Sequence, residues 1–317
     1  EALWNLNKTV PAGVQECVHD LVKKQSDSDP DRIAVCAWDG ELTYSDLEQL
    51  ASQLAHRLVQ CGVTPGMIVP ICFGKSKWIL VSLLAVLKAG GAFSFIDPTQ
   101  AADRRDYMFE EVDAKIVLTS PHYVDVFANS GRTVIPVCSG SISSFSHTDD
   151  DALPCVMSDS SAYVMFTSGS TGRPKGVLIS HLAASTSCVY NGRKMGFSKD
   201  TRALQFSAFT FDACILEMVT TLVYGGCVCV PHEDDRLTNI EATIDTMQVN
   251  LSFLTPTVAR LIDPQNVPTL ETLIMGGEKV TLEGMQRWPA RRVLDGYGPT
   301  ETTIICCVGE PSMKETE

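Results

Sequence analysis

The chain has 317 residues, 44% of them hydrophobic, with 25 basic side chains against 38 acidic ones and a net charge of -13. That length supports one large domain or two smaller ones, and that charge excludes a surface built to neutralise a nucleic-acid backbone, leaving small molecules and proteins as partners. The longest strongly apolar run, 78–87, falls short of the roughly 20 residues a membrane helix needs, so no membrane partner is expected.

The twelve cysteines are scattered without a CxxC, which predicts buried hydrophobes of a reducing, cytoplasmic compartment rather than a disulfide framework. The chain opens at Glu1 without a leader pattern and reads as a piece of a longer polypeptide. In chain order, 14–24 predicts a short amphipathic helix and Ser26-Asp27-Ser28-Asp29-Pro30-Asp31 a turn. Strand formers at 32–38, the hairpin signal Asp39-Gly40 and a return at 41–44 predict a β-hairpin. Ser45 and Glu48 read as a capping box opening a helix with Leu47, Leu50, Leu54 and Leu58 on one face and Gly62 as its stop. A buried strand at 69–73 and a helix at 78–88, apolar nearly all round, lead to Gly90-Gly91.

Helix, Gly-Gly, apolar run and proline recur around Gly225-Gly226 and Pro231. This weak echo suggests two related halves, roughly 10–185 and 186–317, joined by a Ser- and Asp-rich surface connection over 139–161. Beyond it the pattern predicts helices at 183–191, 213–224 and 258–262, and strands at 249–254, 272–275 and 292–294. Such alternation means an α/β fold with mostly parallel sheets flanked by helices.

Between two strand-like runs, 162–166 and 177–179, lies Thr167-Ser168-Gly169-Ser170-Thr171-Gly172-Arg173-Pro174-Lys175-Gly176. Its glycines permit close backbone approach and inward N–H groups, its hydroxyls donate, and Arg173 and Lys175 supply charge, so it reads as a phosphate cradle. It misses the Walker pattern at Pro174 and Gly176, and a P-loop would run directly into a helix. Asp295-Gly296-Tyr297-Gly298-Pro299-Thr300-Glu301 offers an aromatic for a planar ligand and a hard oxygen donor for Mg²⁺, or else a plain strand end and turn. Asp212 is either a helix N-cap or, in a closed pocket, the partner of a ligand ammonium. Ile274-Met275-Gly276-Gly277-Glu278 is a strand running into a close backbone approach. Cys227, Cys229 and His232 lack tetrahedral spacing and read as core, and His181 as a structural helix-start residue.

These stretches, with Leu42-Thr43-Tyr44-Ser45 and Leu87-Lys88-Ala89-Gly90-Gly91-Ala92 through Asp97-Pro98, resemble the adenylation domains of nonribosomal peptide synthetases, within the adenylate-forming enzymes. The resemblance implies an incomplete N-terminal core, with the barrel and the C-terminal lid domain and its lysine largely absent, expected to act weakly or not at all alone. It implies ATP-dependent activation of an amino acid, with transfer to phosphopantetheine on a carrier domain, beside a condensation domain, in a domain expected to be monomeric. Thr167, Ser168, Gly169, Ser170, Thr171, Gly172 and Lys175 would hold the β- and γ-phosphates, Thr300 the α-phosphate and Glu301 the metal. Gly276, Gly277, Glu278 and Tyr297 would frame the adenine, with Asp295 where the family commonly has Asn. The side-chain pocket would comprise Asp212, Ala213, Leu216, Phe253, Ile274, Gly276, Gly296, Ile304 and Ile305. Beyond Asp212 that set is uncharged, which predicts an apolar amino acid, with Gly276 and Gly296 leaving room for a large one. An acyl-CoA or aryl-acid ligase and a non-catalytic scaffold remain the alternatives.

Overall fold

The computed structural model describes residues 10–145, 152–168 and 172–310. Fourteen strands among them form two sheets. One has six strands in the order β6-β5-β3-β4-β7-β8: β3 (Ile68–Cys72), β4 (Ala92–Phe95), β5 (Ile116–Thr119), β6 (Thr133–Pro136), β7 (Ser161–Ser168) and β8 (Pro174–Ser180). The other has eight, in the order β14-β13-β12-β11-β9-β10-β1-β2. Its strands are β1 (Ile33–Ala37), β2 (Gly40–Thr43), β9 (Arg202–Leu204), β10 (Cys227–Val230), β11 (Leu251–Leu254), β12 (Thr272–Gly276), β13 (Arg292–Tyr297) and β14 (Cys307–Gly309). Pairing is parallel except at β1/β2, β7/β8 and β13/β14, the mostly parallel α/β arrangement expected; no closed barrel is present among the described residues. The hairpin β1/β2 joins the sheet otherwise drawn from 202–309, with Val35 opposite Val228.

Two helices show how the layers meet. The Tyr44–Gln60 helix packs on β1 and β2, the Trp78–Lys88 helix on β3 and β4, and the two helices pack on each other between the sheets. Ile79 to Lys88 are buried on every side, which explains why this helix is apolar all round. Strand alternation sorts residues between this shared core and two outer layers. Val228 faces inward while Cys227 and Cys229 pack outward with Ile244 and Trp288; Tyr163 faces inward and Val164 outward.

The repeated Gly-Gly signal marks one unit built twice. Gly90 and Gly225 have φ of 81° and 77°, a left-handed stop that glycine adopts at little cost. A Cβ on Gly91 would lie 3.1 Å from the Met67 carbonyl oxygen, and one on Gly226 2.8 Å from that of Thr201. In each case a helix turns straight into a strand beside the start of its parallel neighbour, β3 in one sheet and β9 in the other.

Two local expectations change. The first helix is Val18–Ser28, not 14–24, and runs through Ser26-Asp27-Ser28 because Ser26 is buried and Lys23 pairs with Asp27 at 2.7 Å. It ends at Asp29, which precedes Pro30 and is thereby pushed out of helical geometry. The capping box of the second helix is Thr43 with Asp46, not Ser45 with Glu48. Glu48 instead accepts from the buried Lys88 ammonium at 2.6 Å.

Candidate active site

The predicted strand–loop–strand is present: β7 and β8 pair antiparallel, with Thr167 opposite Lys175 and Ser168 opposite Pro174. Gly169, Ser170 and Thr171 lie outside the described residues. Gly172 has φ 82°, and Ser168 and Lys175 are exposed. Strand β8 packs beside the turn Thr300–Thr302, so the cation of the loop and the carboxylate of Glu301 come from neighbouring elements.

Gly298 and Ile304, which bracket that turn in sequence, line a cavity of about 410 Å³. Asp212 and Ala213, at the start of a helical run over 213–223, sit at its wall with Phe253 of β11 and Gly296 of β13. Ile304 and Ile305 close it. They belong to a loop held at φ 64° for Thr303 and 75° for Ile304, conformations rare for β-branched residues. The helix His181–Met195 fastens that loop: Ser187 donates to the Thr303 carbonyl at 2.9 Å and Asn191 to that of Ile305 at 2.6 Å.

Burial raises the pKa of the Asp212 carboxyl, opposed by a hydrogen bond from Thr300 and by the Ala213 amide. Its Oδ2 is buried without a partner, an arrangement that favours a cationic donor supplied from outside the protein.

Other carried-over residues stand further off. Leu216 and Ile274 are buried behind the cavity wall, and Gly276 does not line it. The room expected at Gly276 is taken: a Cβ there would meet the Gly296 carbonyl oxygen at 2.5 Å and the Phe253 ring at 2.9 Å. Gly277 and Glu278 reach the rim, where Glu278 also accepts from Thr257 N and Oγ1 at 3.1 and 2.6 Å. Asp295 is exposed, and Tyr297 keeps 67% of its surface exposed.

The cavity is also less uniform than the carried-over set implied, because Arg236 joins its rim. Its guanidinium is engaged by Glu233 and by the Phe206 carbonyl, and stacks on the Phe206 ring. The carried-over pocket set left out Arg236, on the short helix Glu233–Thr238, and Ser207, Ala208 and Phe211, which come from a loop with no periodic pattern.

The reading of His181 as a structural residue holds. His181 is fully buried, and its Nδ1 accepts the Val18 amide at 3.2 Å. It lies with Cys17 and His19 in a group close enough to hold a metal. However, a ring whose Nδ1 accepts an N–H carries its proton on Nε2 and has no lone pair left to offer. His232 meets Trp38 edge-to-face with ring centres 4.8 Å apart and keeps 43% of its side chain exposed, so unlike the buried Cys227 and Cys229 it is not the core residue expected.

Comparison with known proteins now adds to this geometry. The family profile described as AMP-binding enzyme matches residues 22–317. The chain belongs to the AMP-binding enzyme family. Among curated relatives of this AMP-binding chain, the nonribosomal peptide synthetase TES of Alternaria alternata is 45% identical over 315 residues, covering 99% of the chain and 6% of the relative. The chain spans only 5–6% of the length of the first curated relatives it matches. Among solved structures, the nonribosomal peptide synthetase FmoA3 (S1046A) in its alpha-methyl-L-serine-AMP bound form has a TM-score of 0.87 at 25% identity, over 97% of this chain and 36% of that one. PA1221, containing adenylation and PCP domains and bound to a vinylsulfonamide inhibitor, has a TM-score of 0.83 at 25% identity, over 94% of this chain and 52% of that one. Within the family, the chain therefore aligns with nonribosomal peptide synthetase adenylation domains. Among the described residues no helix is long and apolar enough to cross a membrane.

Proposed function

We propose that this AMP-binding chain carries the nucleotide and amino-acid pocket of an adenylation domain that activates an apolar amino acid. The substrate carboxylate oxygen forms a bond to the α-phosphorus of ATP as the bond to the β-phosphate oxygen breaks and pyrophosphate leaves. The thiol of a carrier-domain phosphopantetheine then displaces AMP from the acyl carbon. The observation that carries this reading is the buried, partnerless oxygen of Asp212 in a cavity whose walls include Ala213, Phe253, Ile304 and Ile305, and whose polar lining residues Ser207, Arg236 and Glu278 already have protein partners. A substrate α-ammonium satisfies that oxygen, and the apolar walls leave a polar side chain without partners.

No protein nucleophile is required, so the chain's work is to position reactants and neutralise charge. Lys175 and the Thr167–Gly172 loop would hold the β- and γ-phosphates, with Thr300 near the α-phosphate, a donor already within reach of Asp212. Glu301, an exposed hard oxygen donor beside the start of β8, fits Mg²⁺, which supplies Lewis-acid neutralisation of phosphate charge when bound. Gly276, Gly277, Glu278, Asp295 and Tyr297 would frame the adenine, and Leu216, Ile274 and Gly276 back the side-chain pocket. Arg236 and Glu278 are engaged by protein partners at the rim, which leaves the apolar preference in place.

The test is calorimetry of this chain with Mg·ATP and with sulfamoyl-adenosine analogues of leucine, phenylalanine, aspartate and lysine. The apolar analogues bind tightest, and Asp212→Ala weakens them about 10- to 100-fold, the worth of one charged hydrogen bond. Preference for the aspartyl or lysyl analogue overturns the substrate class. An Asp212→Ala variant that binds unchanged favours acyl or aryl acids, and no binding of Mg·ATP favours a scaffold.

A further inference from the structure

A buried polar cluster beside the cavity has no part in the chemistry above. Lys75, just past β3, is 7% exposed, Gln205, just past β9, 0%, and Glu217, in the π-helical segment Leu216–Thr220, 1%. The Lys75 ammonium donates to the Gln205 side-chain oxygen at 2.5 Å and to the backbone carbonyls of Gln205 and Ser207 at 3.1 and 3.0 Å. It also lies 4.9 Å from the centre of the Phe209 ring. The Glu217 carboxylate accepts from Gln205 Nε2 at 3.0 Å, from the Ser207 amide at 3.0 Å and from Ser207 Oγ at 2.8 Å. Lys75 is itself anchored, since Trp38 donates to its carbonyl at 2.7 Å.

Apart from the Trp38 anchor, each of these bonds involves the segment 205–209, and Ser207 is gripped from both sides. Ser207 and Ala208 form one wall of the cavity, and the chain reaches Phe211 and Asp212 directly after them. Burial pushes the Lys75 ammonium down and the Glu217 carboxyl up, each opposed by the charge of the other. Such a pair is expensive to bury and adds little net stability over an apolar replacement. What it does give this segment is one fixed position, drawn from both sheets at once.

We propose that Lys75 and Glu217 are positioning residues for the amino-acid subsite: with Gln205 they clamp Ser207, and so hold the cavity wall and Asp212 where a substrate ammonium meets them. This rests on the adenylation reading of the cavity. The clamp touches no nucleotide-binding residue, so its loss separates the two ligands. In calorimetry of the 317-residue chain, Lys75→Met and Glu217→Ala weaken leucyl- or phenylalanyl-sulfamoyl-adenosine at least tenfold, while Mg·ATP affinity stays within twofold. Glu217→Gln, which keeps an oxygen for the Ser207 amide, recovers part of the loss. If either clamp variant fails to fold, Ser207→Ala still removes one bond of the grip, and weakens the aminoacyl probe threefold or more with Mg·ATP unchanged. The proposal is overturned if the aminoacyl probe binds these variants as it binds the wild type, or if both ligands weaken in the same ratio. A wild-type chain that binds Mg·ATP but neither aminoacyl probe overturns the adenylation reading and the clamp together, an outcome distinct from the other two.

Discussion

At Gly276 there is room for a single hydrogen atom and no more. The carbonyl oxygen of Gly296 and the ring of Phe253 press into the space a side chain would occupy there, and a backbone carbonyl in a parallel ladder cannot yield. Gly276→Ala is therefore expected to cost roughly 1–3 kcal/mol of stability through overpacking and to push Phe253 into the cavity. Gly296→Ala presses only on side-chain ends, Ile305 Cδ1 at 3.1 Å and Ile274 Cγ2 at 3.3 Å, with the Met275 carbonyl oxygen at an ordinary contact distance of 3.6 Å, and costs roughly 1 kcal/mol or less. Urea unfolding of the two variants distinguishes them, and equal losses refute the assignment. The residue type alone suggested room at both positions. A missing side chain marks a place of close approach, but which neighbour approaches is set by β11, a strand some twenty positions earlier, and no local pattern carries that.

At the scale of elements, the Tyr44–Gln60 helix is fixed at its start by Thr43 and along its flank by Glu48. Thr43→Ala removes a reciprocal cap and is expected to cost about 1 kcal/mol, while Ser45→Ala changes little. Glu48→Ala leaves the Lys88 ammonium buried without its partner and is expected to cost roughly 2–3 kcal/mol. Thermal or urea unfolding gives the order, and a larger loss at Ser45 than at Thr43 would refute the cap. The helix itself was legible from its apolar stripe, and so were β7 and β8, because glycine and hydroxyl residues interrupt two runs of strand formers. The cap was offset because Thr43 and Ser45 are both good caps, and only the Lys88 contact, 40 residues on, removes Glu48 from contention. Lys75 and Glu217 were illegible for the same reason: each looks like an ordinary charge at the edge of an apolar run, and their meeting through Gln205 is a product of two sheets.

For the molecule as a whole, acid sensitivity gathers where His19 and His181 meet, their ring centres 5.3 Å apart. Burial lowers both to about 4, helped at His19 by Lys88 and at His181 by His19. Between pH 4 and 6.5 the unfolded chain binds protons that the folded chain refuses, so stability is complete above 6.5 and falls as pH drops towards 4, by roughly 3 kcal/mol for each ring. Urea unfolding at pH 7.5 and 5.0 should show the loss, and His19→Asn should remove more than half of it, since His19 also helps lower His181; a flat profile in the wild type refutes it. The α/β class and the doubled helix-Gly-Gly-strand unit were readable from pattern and order, and the grouping of Asp212 with Ile304 and Ile305 was what the family resemblance implied. The placing of the first hairpin was not, because hydrophobic alternation in β1 says which face is buried and nothing about which sheet receives it. That hairpin also imposes a schedule on a growing chain. The six-stranded sheet can assemble as soon as residues 68–180 have been made, but Val35 must wait for Val228, which at ribosomal speeds of about 5–20 residues per second is a delay on the order of ten seconds or more. Throughout it β1 has no parallel neighbour, and the nascent chain carries an open strand edge that only the second half of the sequence can cover.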